Sequence, residues 1–243
     1  MALPILETAT YELTLPSTDV KVKYRPFLVK EEKVLLQALE SGESKQIVNT
    51  IKEIVHTCTF GGVAVDNLPT FDLEYIFLQI RSKSVGEIAK IKVLCPDDKK
   101  THVVTEVDLS KVEVQVDDTH DNKIIVNDKI SMLMKYPTIN SVDPAVDTNT
   151  MKTEKLFDII ANTIHEIYEG DKTHSVKDYS KEELMKFIES LDSKVFQKLQ
   201  TFYTTMPKLS HEIEITNPNT KVKSKVRLSG LSDFFESPSH TTA

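Results

Sequence analysis

Tyr24-Arg25-Pro26-Phe27-Leu28-Val29-Lys30-Glu31-Glu32 is the run on which the fold turns. Before it, Val20, Val22 and Tyr24 alternate with polar residues, the period of a half-buried strand. After it, Val34, Leu35, Ala38 and Leu39 fall on one face of a helix. The period changes from two to 3.6 across a short Arg25-Pro26-Phe27 elbow. Nothing in the elbow has the pattern of a catalytic motif.

Upstream, Tyr11, Leu13 and Leu15 alternate as well, and Pro16-Ser17-Thr18-Asp19 is built of turn-forming residues. A hairpin, Tyr11–Leu15 against Val20–Tyr24, follows with one face buried. Downstream, Ser41-Gly42 offers a break. A second helix then carries Ile47, Ile51, Ile54, Val55 and Cys58 on one stripe and stops at Gly61-Gly62. Pro69-Thr70 starts a third helix, in which Phe71 to Ile80 are apolar almost all round the wheel. The alternation of Leu73, Tyr75 and Phe77 also fits a strand, but length and the acidic first turn favour the helix.

Residues from Glu87 to about Tyr136 are strand-rich. Ile88, Ile91, Val93 and Cys95 precede the turn at 96–100, and Val103, Val104 and Val107 return from it. Val112, Val114 and Val116 alternate, and Asn127-Asp128 separates two more runs. A meander of three to five strands is expected. Residues 138–150 are polar and aperiodic, the expected linker between an N-terminal region, 1–137, and a second, 151–236. In the second region, Leu156, Phe157, Ile160, Ile164 and Ile167 predict one helix ending at Gly170. Ser180 and Glu183 form a capping box before Leu184, Phe187, Ile188 and Leu191. Asp192 or Ser193 caps a helix carrying Val195, Leu199, Phe202 and Met206, ended by Pro207. Ile213 and Ile215, a turn at Asn217-Pro218-Asn219-Thr220, and Val222, Val226 and Leu228 predict a closing hairpin, and 237–243 a loose tail. The fold class expected is α+β: short antiparallel hairpins and a β-meander packed with amphipathic helices.

The 243 residues suffice for a sizeable core, with 40% hydrophobic and 28% charged residues and a net charge of −7. Lys and Arg are scattered among more numerous carboxylates, which argues against a nucleic-acid partner. No apolar run approaches the ~18 residues of a membrane span, and Met1–Glu7 lack the pattern of a signal peptide. Cys58 and Cys95 read as small buried thiols rather than a disulfide framework.

Cys95-Pro96 resembles half of a zinc-ribbon knuckle, but Asp98 stands where the second thiolate is needed, and Asn217–Thr220 holds no thiol or imidazole. His165-Glu166 begins a metal-helix pattern that Glu169 breaks. With six glycines, neither a Walker A loop nor a dinucleotide turn exists. The pairs Asp97-Asp98, Asp117-Asp118 and Glu182-Glu183 read as solvated turns or helix first turns. Lys221, Lys223, Lys225 and Arg227 decorate one strand face, read first as solvated or edge-protecting, second as a contact for an acidic partner. No catalytic residue, cofactor or metal ligand is expected. The candidates for partner binding are Arg25, Pro26 and Phe27 in the elbow and Phe234 and Phe235 near the C-terminus. Phe202-Tyr203 is a further pair, with Phe202 read as core.

Three runs carry a resemblance: Tyr24–Glu32, the stretch Phe71–Gly86 and Lys221–Phe235 with its Gly-Leu-Ser-Asp-Phe-Phe ending. In order and spacing they resemble the baseplate hub subunit family of T-even-type myoviruses. The likeness spans most of the chain, including Met206-Pro207-Lys208. It implies a non-enzymatic part in building the hub of a contractile tail. The partners it implies are other hub and tail proteins, including the tape-measure protein that sets tail length. The implied location is the host cytoplasm during assembly; both retention in the virion baseplate and a role in assembly alone are open to such a protein. Some relatives carry Cys-Pro-x-x-Cys in the C-terminal hairpin; this chain has Asn-Pro-Asn-Thr there, so no metal role is carried over. Two rival readings remain: a metal-dependent hydrolase built from scattered Asp, Glu and His, and a chaperone or adaptor that never enters the virion. Oligomeric state is not legible.

Overall fold

The structure, a computed structural model, describes residues 7–141 and 153–235. Along the chain run β1 (Tyr11–Thr14), β2 (Lys21–Tyr24), α1 (Val29–Ser41), α2 (Ser44–Cys58), α3 (Thr70–Val85), β3 (Ile88–Leu94), β4 (His102–Asp108) and β5 (Glu113–Gln115). Then follow β6 (Lys123–Ile125), β7 (Ile130–Met134), α4 (Thr153–Thr163), β8 (Ile164–Glu169), β9 (Lys172–Ser175) and α5 (Lys181–Glu189). The last elements are α6 (Ser193–Thr205), β10 (Lys208–Thr216), β11 (Lys223–Ser229) and α7 (Gly230–Phe235). The class is α+β, with small antiparallel sheets.

The chain forms two units, one drawn from residues up to 115 and from 208 onward, the other from 116–207. Their limits do not follow the expected linker at 138–150, of which 142–150 lie outside the described residues. The reason is a strand pairing. β5 lies antiparallel to β10, with Leu209 opposite Val114, so the closing hairpin joins the N-terminal elements. The expected tail, 237–243, also lies outside the described residues.

In the first unit, β1 and β2 form the expected hairpin, with Tyr11 opposite Tyr24 and Leu13 opposite Val22. Its inward residues are Leu13, Leu15, Val22 and Tyr24. α1 buries Glu31, Leu35 and Ala38, and Gly42 ends it in the left-handed region at φ 67°. Val34, expected on that face, is exposed. It lies about 100° round the helix from Leu35 and falls off the stripe. α2 buries Ile51, Ile54, Val55 and Cys58, as its period requires. Burial pushes the Cys58 thiol up to about 11, so it stays protonated.

α3 is the centre of this unit. Phe71, Leu73, Ile76, Phe77, Leu78 and Ile80 are all buried around it. The strand alternative fails here because a helix satisfies its own backbone groups and can be enclosed on most sides. Asp72, fully buried in its first turn, accepts from the Ser17 backbone N–H at 3.2 Å and from the Ser17 hydroxyl. That ties the β1–β2 loop to the helix start.

The tips of two hairpins in this unit meet. The Asn217 amide donates to both oxygens of Asp97 at 3.0 Å, and the Asn219 amide donates to Thr101 Oγ1 at 2.9 Å. Asn217 Oδ1 accepts from the Asn219 backbone N–H at 2.9 Å. Asp98 accepts from the Lys100 and Thr101 backbone N–H groups at 3.0 Å, closing a plain turn where a knuckle would need a thiolate. Asn217 is buried. Asn217→Ala removes a buried, fully used amide, and the expected cost is about 1–3 kcal/mol in urea unfolding. An unchanged unfolding midpoint would show that the tips contribute nothing.

Two expectations are corrected by the strand pairings. The strand-rich block does not form one meander. β3 and β4 pair alone, β5 joins β10 and β11, and the continuous meander is β6-β7-β8-β9. Nor does the helix beginning near Leu156 reach Gly170. α4 stops at Thr163, whose hydroxyl donates back to the carbonyls of Ile159 and Ile160 at 2.8 and 3.0 Å. Ile164 and Ile167 belong to β8, where Ile167 lies opposite Met132. Gly170, at φ 56°, forms the turn into β9, a strand the sequence did not reveal. The i, i+3 spacing of the two isoleucines suits a helix, so periodicity alone could not decide; the partner strand β7 did.

Caps follow the sequence more closely. Ser180 Oγ accepts from the Glu183 backbone N–H at 3.3 Å, while Glu183 Oε2 accepts from that of Ser180 at 2.8 Å. Asp192 Oδ1 accepts from the Val195 backbone N–H at 2.8 Å. The core beneath holds Met132, Met134, Ile160, Ile164, Ile188, Leu199 and Phe202. His120 packs on Phe202 and Tyr136, with its Nδ1 2.9 Å from the Thr205 hydroxyl. Burial holds its pKa below the ordinary histidine value, so it serves as a neutral ring.

Candidate interaction site

The elbow at Arg25 proves to be an internal staple. The Arg25 backbone N–H donates to the Cys58 carbonyl at 2.9 Å, joining the end of β2 to the end of α2. Its guanidinium donates to Glu31 Oε1 at 3.0 Å and to the Pro26 carbonyl at 2.8 Å. Glu31 Oε2 in turn accepts from the Leu28 backbone N–H at 2.7 Å. The Phe27 backbone N–H donates to Ser84 Oγ at 2.9 Å, near the end of α3. Desolvation works to raise the Glu31 pKa, but the Arg25 and Leu28 hydrogen bonds outweigh it and hold the carboxyl below its usual range.

Of the five residues expected to face a partner, Phe27 and Phe234 are buried, and Arg25 is largely enclosed in its ion pair with Glu31. Pro26 is half-buried, and the Phe235 side chain lies outside what the structure describes. Phe27 follows Pro26 in a short elbow and Phe234 lies near the C-terminus, contexts typical of exposed loops. Burial by elements distant in sequence leaves no local trace. The basic face of β11 is likewise engaged: Lys225 donates to Glu212 Oε1 at 2.7 Å, and Lys223 lies 3.2 Å from Glu214 Oε1. These cross-strand pairs engage two of the four basic residues, Lys223 and Lys225, for which a contact with an acidic partner was the second reading.

α7 docks on α3 through Glu74. Glu74 Oε1 accepts from the Leu231 backbone N–H at 3.3 Å. Desolvation pushes the Glu74 carboxyl up to about 7, with Asp233 adding to the rise. A carboxyl whose pKa is higher folded than unfolded holds its proton better in the native state. Its stabilising contribution is complete below the unfolded value and fades as pH rises toward about 7. Stability of this unit should therefore fall between about pH 4.5 and 7 by something on the order of 2 kcal/mol. Glu74→Gln should flatten that slope in denaturant titrations run across the range. An unchanged slope would place the titration elsewhere.

The second unit carries an open cleft of about 350 Å³ between the β8–β9 hairpin and α5. Its apolar floor is Ile130, Ile167, Leu184 and Phe187. Its polar rim is Glu169, His174, Tyr179 and Glu183. His174 is placed by β9, with Nδ1 2.6 Å from the Tyr179 hydroxyl and Nε2 3.3 Å from Glu169 Oε2. Both ring nitrogens are thus engaged. Glu183 is held by the capping box that starts α5. The sequence singled out Ile167, Glu169, Glu183, Leu184 and Phe187 for other reasons, and neither His174 and Tyr179 nor the cleft, because β9 was not foreseen. The alternation Lys172-Thr173-His174-Ser175 after Gly170 is the short signal that could have found it.

Chemically, the rim offers carboxylates and an imidazole oriented by them, beside an apolar floor. A Glu–His–Tyr chain can pass a proton, but it ends on a half-exposed phenol rather than on an alcohol or thiol nucleophile. No group of three or more His, Cys, Asp or Glu suited to a metal ion occurs among the described residues. The arrangement suits recognition of a side chain better than covalent chemistry.

The family model described as T4 bacteriophage base plate protein matches residues 8–236. No curated protein and no solved structure matches the chain.

Proposed function

We propose that this chain, which belongs to the T4 bacteriophage base plate protein family, acts at the hub of the baseplate by binding other tail proteins. The observation that supports the baseplate role is the family match over residues 8–236, nearly the whole chain. Membership brings a structural role in the baseplate and contact with other baseplate or tail proteins. The hub assignment is narrower and rests on the likeness of Tyr24–Glu32, Phe71–Gly86 and Lys221–Phe235 to hub subunits. Its partners are then the other hub components and the tape-measure protein. The chain works first in the host cytoplasm, where hubs are assembled, and then in the virion tail.

The fold is compatible with that role. The elbow and both hairpin tips of the first unit are tied down by internal hydrogen bonds, giving a stiff body on which exposed faces can be presented. Mass spectrometry of purified virions and of isolated hub intermediates tests the reading. Presence in both supports a hub subunit. Presence only in intermediates makes it an assembly factor. Absence from both overturns the proposal.

The hydrolase reading has one feature in its favour, the Glu169–His174–Tyr179 chain. It requires His174→Ala to abolish a measurable activity while leaving assembly intact. The binding reading expects the reverse emphasis.

A further inference from the structure

We propose that the cleft between the β8–β9 hairpin and α5 is a docking site for a lysine or arginine side chain on a partner tail protein. This rests on the baseplate reading above for the partner's class, but its chemistry is read from the cleft itself.

Three observations converge. The floor is apolar, with Ile167, Leu184 and Phe187. Such a surface suits the methylene stem of a long cationic side chain. The ionised rim groups are Glu169 and Glu183. Each spends Oε2 locally, on His174 and on the Ser180 backbone N–H, and the other oxygen takes no bond among the described residues. A cation lodged over Phe187 and Tyr179 would meet aromatic carbon on one side and carboxylates on another. Finally, the unit has 16 Asp and Glu against 11 Lys between residues 116 and 207, so its field draws basic segments. An anionic or purely apolar segment would satisfy the floor but desolvate the remaining carboxylate oxygens of the rim without a counter-charge. A volume of about 350 Å³ sits at the small end of ligand sites and suits one side chain rather than a whole helix face.

The test uses the full chain, labelled with ¹⁵N, and three capped tripeptides as probes: Leu-Arg-Leu, the same with citrulline for arginine, and the same with glutamate. Citrulline keeps the shape and removes the charge. The arginine peptide is expected to shift the amide signals of residues 169, 174, 179 and 183–187. The citrulline peptide should bind about tenfold more weakly, and the glutamate peptide not at all. The double variant Glu169→Gln and Glu183→Gln keeps the helix cap and should bring arginine down to the citrulline level. Equal binding of arginine and citrulline, shifts mapping elsewhere, or no shifts at all would overturn the proposal. The same variant carried in the phage separates this inference from the hub reading. Wild-type incorporation and hub assembly would sink the docking site and leave the hub reading standing. Absence of the wild-type chain from virions and intermediates would sink the hub reading, while the titration would still judge the cleft.

Discussion

Arg25→Ala should lower the stability of the first unit by about 2–4 kcal/mol. Arg25 and Glu31 form an enclosed pair 3.0 Å apart, with only 12% and 9% of their side-chain surfaces exposed. Removing one member of such a pair leaves a carboxylate in a desolvated place, usually at a cost of roughly 3–5 kcal/mol. The figure here is lower because Lys30 Nζ stays 3.5 Å from Glu31 Oε1 and recovers part of the attraction. The change also frees the Pro26 carbonyl and loosens the elbow that positions α1. Urea unfolding followed by circular dichroism measures the loss. Replacing both partners with apolar residues, Arg25→Met and Glu31→Leu, should lose less than the single change, because no buried charge is stranded. A pH scan gives an independent reading. The Glu31 carboxyl is held below its usual range, so its contribution is present at neutral pH and is lost as pH falls through the folded value. The single variant should lose that acid limb. A cost below about 1 kcal/mol would mean that the elbow is held by its backbone bonds and not by the ion pair.

Phe234→Ala is expected to cost about 3–5 kcal/mol. Phe234 is only 1% exposed, on a six-residue helix lodged against α3, β3, β10 and β11. Truncating a ring in such a place removes its transfer energy and leaves a cavity that the surrounding strands cannot fully close. Hydrogen exchange should show loss of protection first at 229–235 and then along α3. The result also decides between two roles for this residue. A ring that served a partner would leave the isolated protein's unfolding unchanged and weaken only its association with tail components. A core ring does the opposite in the isolated chain.

α2, α3, α5 and α6 were legible because each announces itself locally, by a full apolar stripe, a proline or glycine stop, or a side-chain cap such as Ser180 and Asp192. The hairpins β1–β2, β3–β4 and β10–β11 were legible because a turn-rich segment separates two short alternating runs. The end of α4 was not. Ile164 and Ile167 carry a spacing that two structures can use, and the deciding partner, β7, lies some thirty residues earlier. The cleft was missed for the same reason, since it exists only once β8 turns at Gly170 into β9.

By itself, the sequence determined the α+β class, the kinds and rough limits of most elements, and the lack of any familiar catalytic signature. These depend on period, caps and turn chemistry, all confined to a few neighbouring residues. Only the tertiary structure decided that β5 pairs with β10, that Phe27 and Phe234 face inward, and that Glu169, His174 and Glu183 share one cleft. Those outcomes depend on burial and strand pairing between residues far apart in the chain, whose free energy leaves no periodic mark on the segments that supply it.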